Sequence, residues 1–492
     1  MLGPNKPITK EIMLRRTKIV ATLGPASSDQ SVLEQMIRAG VDLVRMNFSH
    51  GTAQDHMKRA ETVRAAAAAV GRTVGILADL QGPKIRVRKF ENDKIVLKKG
   101  DMFILDAALD GLGNQQRVGL DYKELPNDVS SGSILLLNDG MLEFEVTEVK
   151  GNEVYCKVIR GGVLSNNKGI NRKGGGLTAP ALTDKDKEDI KTAALIKADY
   201  LAVSFPRSAD DMKLARKLMH EAGGKSMLLA KIERAEAIPV LEEIIEASDA
   251  IMVARGDLAV EVGDAAVPGL QKKMIKMARA QNKLAITATQ MMESMITNPI
   301  PTRAEVSDVA NAVLDGTDAV MLSAETAVGD YPVETIEAMA RVCLKAEREA
   351  EDNAIDRRSN QQRFTRIDQS IAMSALYAAS HFDVKAIVAL TQSGSTTLWM
   401  SRVNSSVPIF AMTPMESTLS KITLFSGVYP IAFSIDDHQD HSVTLRNAED
   451  ELVRLGLVKD GDLIVMTVGD AVGKAGHTNT MKIVRVGDHR KH

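Results

Sequence analysis

The chain has 492 residues, 44% hydrophobic and 26% charged, with Lys+Arg 62 against Asp+Glu 64. That length is more than one hydrophobic core fills and predicts roughly two to four domains, while a net charge of -2 excludes a bulk electrostatic pull toward nucleic acid or an anionic membrane. Two cysteines, Cys156 and Cys343, exclude a disulfide framework, and the sequence shows neither an apolar leader nor a run of about 18 apolar residues, so the expectation is a cytoplasmic protein with no membrane partner.

From Thr17 onward one unit repeats. Short apolar, β-branched runs (TKIVATLGP, DLVRMNFSH, TVGILADL, DYLAVSFP, SMLLAKIE, DAIMVARGDL, LAITATQMM, DAVMLSAET) are followed by segments with apolar residues at three- and four-residue spacing, such as SVLEQMIRAG and PVETIEAMARVCLKA. Runs that are apolar throughout predict parallel strands buried on both faces, and eight strand–helix units predict an α/β fold of the (β/α)8 TIM-barrel type. The third unit is interrupted between its strand and the helix that follows Ala181. Over 84–180 the helical period gives way to alternating strands and glycines, as in KIVLKKGDMFIL and GSILLLNDGMLEFEVTEV, which predicts an all-β lid inserted on a βα loop at the substrate end of the barrel.

The barrel is therefore assigned to 1–83 and 181–350, and the charged stretch EDNAIDRRSNQQRFTRID to a linker over 351–367. Over 368–492 the runs KAIVALTQ, VPIFAMTP, YPIAF, DLIVMTVGDA and MKIVRV alternate with helices, predicting a C-terminal doubly wound α/β domain.

Barrel chemistry sits at the C-terminal strand ends. There the sequence offers Arg45, Asn47, Ser49 and His50 after the second strand, Asp79 after the third, Lys231 and Glu233 around the fifth, Arg255 and Asp257 after the sixth, Thr289 after the seventh and Glu325 after the eighth. Glu233 and Asp257 supply hard oxygens suited to Mg²⁺; position alone leaves open a salt bridge to Lys231 or Arg255 instead. Lys231 and Glu233, two apart on a strand, face the same way. An ammonium there suits a developing enolate or transferring phosphoryl group, and serves equally as a simple charge partner. Arg45 and Arg86 carry forks that match phosphate, although a lone arginine is usually solvated, and a strand-end histidine such as His50 is usually a cap.

No GxGxxG follows a strand, and GGKS at 223–226 lacks the glycine a phosphate loop requires; it is a turn before the fifth strand. In the C-terminal domain, Thr391, Ser393, Gly394, Ser395 and Thr396 stand where a strand turns into a helix. Hydroxyls and free N–H groups there suit an anion, and serve equally as a capping cluster.

The segments RMNFSHG (45–51), LAKIER (229–234), MVARGDL (252–258), ATQMMESM (288–295), PTRAEVSDVANAVLDGTDAVMLSAET (301–326) and TNTMKI (478–483) resemble pyruvate kinases, in order and over nearly the whole chain. The resemblance implies transfer of phosphoryl from phosphoenolpyruvate to ADP, giving pyruvate and ATP as the last step of glycolysis. It implies Arg45 on substrate phosphate; Lys231 as transition-state stabiliser; Glu233 and Asp257 as Mg²⁺ ligands, with two Mg²⁺ per site in turnover; a Gly256 backbone contact to phosphoenolpyruvate; and Thr289 near the enolate carbon. Asn47, Phe48, Ser49, His50, Arg86 and Lys168 would meet the nucleotide, and a homotetramer is implied.

Two departures refine this. Members that need K⁺ carry an acid after the third strand and a Thr after the aspartate, where this chain has Lys84 and Leu80. An ammonium at Lys84, near Asn47, Ser49 and Asp79, predicts that K⁺ is not required. Members activated by fructose 1,6-bisphosphate carry an aromatic and a basic residue before TNT, where this chain has Gly469 and Asp470. The expected activator is a monophosphate, a sugar phosphate or AMP, at Thr391 to Thr396. The rival readings are another Mg²⁺-dependent barrel acting on phosphoenolpyruvate or pyruvate, distinguished by consumption of ADP, and a silent metabolite binder, disfavoured by Lys231, Glu233, Asp257 and Thr289 together.

Overall fold

The computed structural model describes residues 14–83, 85–352, 364–403, 405–434, 441–469 and 477–490. Eight parallel strands close a barrel: β1 (Lys18–Thr22), β2 (Leu43–Asn47), β3 (Gly75–Asp79), β12 (Tyr200–Val203), β13 (Met227–Ile232), β14 (Ala250–Ala254), β15 (Leu284–Ala288) and β16 (Ala319–Leu322), with β1 pairing both β2 and β16. Their apolar runs are buried on both faces because helices cover the outside and side chains fill the inside. Apart from Met227 at an entry, the partly open strand residues are Arg45, Asn47 and Lys231. All three lie toward the C-terminal ends, so the pattern that makes the core also leaves the chemistry at the mouth.

The insertion folds on its own core. Strands β4 (Lys94–Leu97), β5 (Met102–Asp106), β6 (Arg117–Gly119), β7 (Ile134–Leu137), β8 (Leu142–Lys150), β9 (Glu153–Arg160), β10 (Gly162–Ser165) and β11 (Ile170–Arg172) make a six-stranded sheet in the order β11-β7-β8-β9-β5-β6 and a two-stranded ribbon of β10 with β4. Phe103 and Phe144 meet inside it at 5.9 Å. A capping box anchors its return to the barrel: Thr183 and Asp186 exchange bonds at the start of helix Asp184–Leu195, and the second Asp186 oxygen accepts the Gly82 N–H at 3.1 Å.

In the C-terminal domain β17 (Val384–Leu390), β18 (Ile409–Thr413), β19 (Val428–Ala432) and β20 (Leu463–Gly469) run parallel, and β21 (Thr478–Arg485) adds antiparallel at one edge. This sheet is not independent of the barrel. Interior barrel residues Val20, Leu77, Tyr200 and Ile286 share one buried cluster with Met400, Ile422 and Phe425 of the C-terminal domain, so the barrel floor is sealed by the second domain.

The helix Pro332–Asp352 runs past residue 350, where the charge run suggested a linker. Its final turns are poor in apolar residues yet rich in strong helix formers, and Lys345 pairs with Glu349 at 2.8 Å one turn on. Of the remaining linker assignment, 353–363 lies outside the described residues, as do Lys84 and Asp470.

Candidate active site

Lys231 is the centre of the mouth. Its ammonium meets Glu233 Oε1 at 2.9 Å, Ser204 Oγ at 2.9 Å and Asp79 Oδ1 at 3.5 Å. The other Asp79 oxygen accepts from Arg45 Nε at 2.6 Å, and Arg45 Nη1 also reaches Thr22 Oγ1 at 3.1 Å. Burial works against the charge on Lys231, but the Asp79 and Glu233 carboxylates outweigh it and raise its pKa. Burial likewise opposes ionisation of Asp79, and Lys231 and Arg45 reverse that and hold it below the usual range. A fixed cation is thus maintained in a buried place.

Glu233 has the opposite balance. Burial, with Asp257 adding to it against Lys231, pushes its carboxyl up to about 7, and burial raises Asp257 as well. No hydrogen-bond donor meets the Asp257 carboxylate among the described residues. Two crowded, under-compensated acids are what a divalent cation relieves. No group of three or more His, Cys, Asp or Glu that could hold a metal occurs among the described residues, so the donor set fits Mg²⁺, which takes one or two carboxylates and completes its shell with substrate oxygens and water, and not an all-protein cage.

Beside these acids the backbone is strained. Thr289 and Gln290 have φ of +70° and +54°, a region that costs a β-branched residue most. Thr289 is held there by three bonds: its Oγ1 accepts the Gly256 N–H at 2.9 Å and donates to Ala288 O at 2.6 Å, while Arg255 Nη2 donates to Thr289 O at 2.6 Å. Arg255 also pairs with Asp308 at 2.7 Å. Glu325 turns inward and accepts the Ser323 and Met292 N–H groups. Arg255 and Glu325 therefore brace the mouth instead of lining it, a use of charge that strand-end position could not separate from substrate contact.

The lid closes a polar cavity of about 330 Å³ over the mouth, lined by Ser49, Arg86, Lys168 and Asp257 among others. Val87 N–H bonds Lys168 O at 2.9 Å, so Arg86 and Lys168 flank one hinge ladder. After β2, Asn47 Oδ1 accepts the Ser49 N–H at 3.0 Å. The Phe48 ring does not face the cavity. It is buried and stacks on His56 at 3.9 Å, leaving its carbonyl to accept from Lys185 at 2.7 Å. His50 is exposed.

In the C-terminal domain Thr391 Oγ1 accepts the Gly394 N–H at 3.0 Å, and Thr396 bonds Thr478 at 2.7 Å. Gly394 has φ +81°, and a Cβ there would meet Ile422 Cγ2 at 2.8 Å, so the turn demands glycine on two counts. Ser395 opens the helix Ser395–Ser401, with its Oγ 3.3 Å from Ser393 Oγ.

Sequence reasoning missed Ser204, Phe205, Arg234 and Glu261. Phe205 N–H, at φ +55°, donates to Glu233 Oε2 at 2.9 Å. Arg234 donates to Leu177 O and Ala179 O in the returning lid segment, and Glu261 accepts from Ala235 N–H and from Asn171 of the lid. The strand-end rule applied to the fourth strand would have found Ser204; the lid contacts carry no local signal.

Residues 14–336 match the family model for the pyruvate kinase barrel domain, and residues 369–484 match that for the pyruvate kinase alpha/beta domain. The chain belongs to the pyruvate kinase family. It is 55% identical to pyruvate kinase II of Salmonella typhimurium over 478 residues, covering 96% of this chain and 99% of that one. It is 54% identical to a pyruvate kinase of Haemophilus influenzae, covering 93% and 96%. A crystal structure of a Cryptosporidium parvum pyruvate kinase superposes with a TM-score of 0.88 at 33% identity, covering 98% of both chains. As a pyruvate kinase it is a phosphotransferase that uses phosphoenolpyruvate and ADP and yields pyruvate and ATP, and members of the family generally need Mg²⁺.

Proposed function

We propose that the transfer runs at the barrel mouth, with Glu233 and Asp257 holding Mg²⁺ and Lys231 facing the moving group. The observation that carries this reading is the geometry of the mouth: Lys231 Nζ lies 2.9 Å from Glu233 Oε1 and 3.5 Å from Asp79 Oδ1, and Asp257 lines the cavity beside them. Mg²⁺ held by Glu233 and Asp257 would supply charge neutralisation and polarisation of substrate oxygens, with a second Mg²⁺ expected per site in turnover. Lys231 stabilises the phosphoryl group in flight and the enolate left behind, a preorganised charge that needs no reorganisation at the moment of reaction. Arg45 turns one edge of its guanidinium to substrate phosphate while Asp79 holds the other. Gly256 meets phosphoenolpyruvate through its backbone, its N–H exchanging the Thr289 Oγ1 acceptor at 2.9 Å for substrate, which frees Thr289 Oγ1 to order the water that protonates the enolate carbon. Asn47, Phe48 through its backbone, Ser49, His50, Arg86 and Lys168 receive ADP from the lid side.

Four finer readings accompany it. Activity without K⁺ rests on Lys84 and Leu80 in the positions described above. Activation by a monophosphate at Thr391, Ser393, Gly394, Ser395 and Thr396 rests on the neutral donors of that loop. A homotetramer is supported by exposed apolar residues on two helices, Leu314 of Arg303–Leu314 and Ile367 and Tyr377 of Ile367–His381. A cytoplasmic setting is supported by two free, buried cysteines. No helix among the described residues is long and apolar enough to cross a membrane.

The test is pyruvate formation from phosphoenolpyruvate and ADP, coupled to NADH oxidation, with Mg²⁺ and K⁺ each omitted in turn. Turnover should vanish without Mg²⁺ and persist without K⁺. Collapse without K⁺ would defeat the Lys84 reading alone; turnover that ignores Mg²⁺ would defeat the metal assignment.

A further inference from the structure

Strand β12 is four residues long, and the residues at its two ends make side-chain bonds of different kinds: to the C-terminal domain at the entry and to the reaction centre at the exit. At its entry, Asp199 Oδ1 accepts from Ser420 Oγ at 2.6 Å, and the Tyr200 hydroxyl donates to Lys421 O at 2.7 Å. Both partners sit in or at the end of the short C-terminal-domain helix Glu416–Lys421. Asp199 is also bound into the barrel, its second oxygen accepting the Ile76 N–H at 2.8 Å. Tyr200 is fully buried, its ring inside the barrel and its hydroxyl at the floor.

At the exit, β12 runs into Ser204 and Phe205. Ser204 Oγ accepts from Lys231 Nζ at 2.9 Å and donates to Leu80 O at 2.7 Å, and the Phe205 N–H holds Glu233 Oε2. The six residues from Asp199 to Ser204 span about 17 Å as an extended chain. A strand paired in parallel with both β3 and β13 therefore joins the C-terminal domain to two groups at the reaction centre. The same helix is clamped on its far side, because Lys421 Nζ donates to Ser393 O at 2.6 Å and Thr418 Oγ1 to Gln392 O at 2.6 Å.

We propose that Asp199 and Tyr200 are positioning residues for the transfer: through β12, the docking of helix Glu416–Lys421 on the barrel floor sets the placement of Ser204 and Phe205, and so of Lys231 and Glu233. Undocking leaves the catalytic groups in place chemically but lowers the fraction of molecules in which they are aligned, and such a fraction appears as a weaker apparent affinity for substrate. The reading rests on Lys231 and Glu233 carrying the transfer.

The sole tryptophan, Trp399, lies in the helix Ser395–Ser401 of the C-terminal domain and reports on that domain without a label. The experiment uses the full-length enzyme and two hydroxyl deletions, Tyr200→Phe and Ser420→Ala, the second being the milder should the first fold poorly. Steady-state KM and kcat for phosphoenolpyruvate are measured beside Trp399 fluorescence titrated with phosphoenolpyruvate and Mg²⁺. In the wild type, substrate should shift the Trp399 signal. In each variant the shift should shrink while the KM for phosphoenolpyruvate rises about five-fold and kcat stays within about two-fold, the size of an ordinary coupling between sites.

Unchanged KM and an unchanged Trp399 response in both variants would overturn the proposal. So would a wild type whose Trp399 ignores substrate, or a kcat that falls in proportion to folded protein at constant KM, since that marks a merely structural role. Lys231→Met, assayed in parallel, separates these outcomes from a failure of the underlying reading: full turnover in that variant would sink the catalytic assignment itself.

Discussion

The barrel mouth and the loop 391–396 are both read as places for phosphate, yet they are built from opposite materials. The mouth holds charges of both signs, Lys231, Arg45, Asp79 and Glu233, in direct ion-pair contact. The loop offers hydroxyls and backbone N–H groups. Preorganised charge stabilises developing charge, and hydroxyls and N–H groups at a helix N-terminus suffice to bind an anion. On the function proposed above, the first site passes a phosphoryl group on and the second only holds one.

The largest expected effect tests the first half of that contrast. Lys231→Met should lower kcat by about 10³-fold or more, the loss expected when a preorganised group aimed at the transition state is removed, and rapid-quench or coupled assays read it directly. Ser204→Ala keeps the ammonium but deletes one of its acceptors; a hydrogen bond to a charged group is worth about 1.5–3 kcal/mol, so kcat should fall by about ten-fold or somewhat more. An unchanged rate in Ser204→Ala would show that Glu233 and Asp79 alone position Lys231.

The second half is sharpened at the loop. Ser395→Asp places a negative charge among neutral donors and should abolish activation by glucose 6-phosphate and by AMP while leaving kcat at saturating phosphoenolpyruvate within about two-fold. Loss of kcat there would mean that the loop is not merely a holding site.

The smallest effect concerns pH. Burial pulls His56, stacked on Phe48, from 6.5 down to about 4. Its neutral form is the one that folds, so the contribution to stability is fully present above pH 6.5 and is lost as pH falls from 6.5 toward 4. Chemical denaturation between those values should show the wild type losing stability by up to about one proton's slope, and His56→Gln should flatten it.

How much of this was legible in the sequence depended on whether the signal was local. The eight strands were readable because a strand buried on both faces writes itself as an uninterrupted apolar run, and Lys231 with Glu233 were readable because two-residue spacing fixes their common face. Ser204 stood at a strand end by the same rule and was passed over. Arg234 and Glu261 could not be found that way: their partners, Leu177 and Asn171, lie 57 and 90 residues away in the chain, and nothing in the sequence marks such a meeting. The Phe48 ring turns into the core because His56, one helical turn inside the next helix, offers a stacking face that no local pattern signals. Glu325 read as a mouth residue for want of any sign that its oxygens were already taken by backbone N–H groups.

The measurement that most directly tests the central claim is Mn²⁺ binding, followed by electron paramagnetic resonance in the presence of phosphoenolpyruvate, in the wild type and in Glu233→Gln and Asp257→Asn. Tight binding in the wild type that weakens by about an order of magnitude or more in each variant is the predicted result, since each substitution removes one of two charged oxygen ligands. Equal affinity in all three proteins would contradict it, and would leave Glu233 as no more than the salt-bridge partner of Lys231.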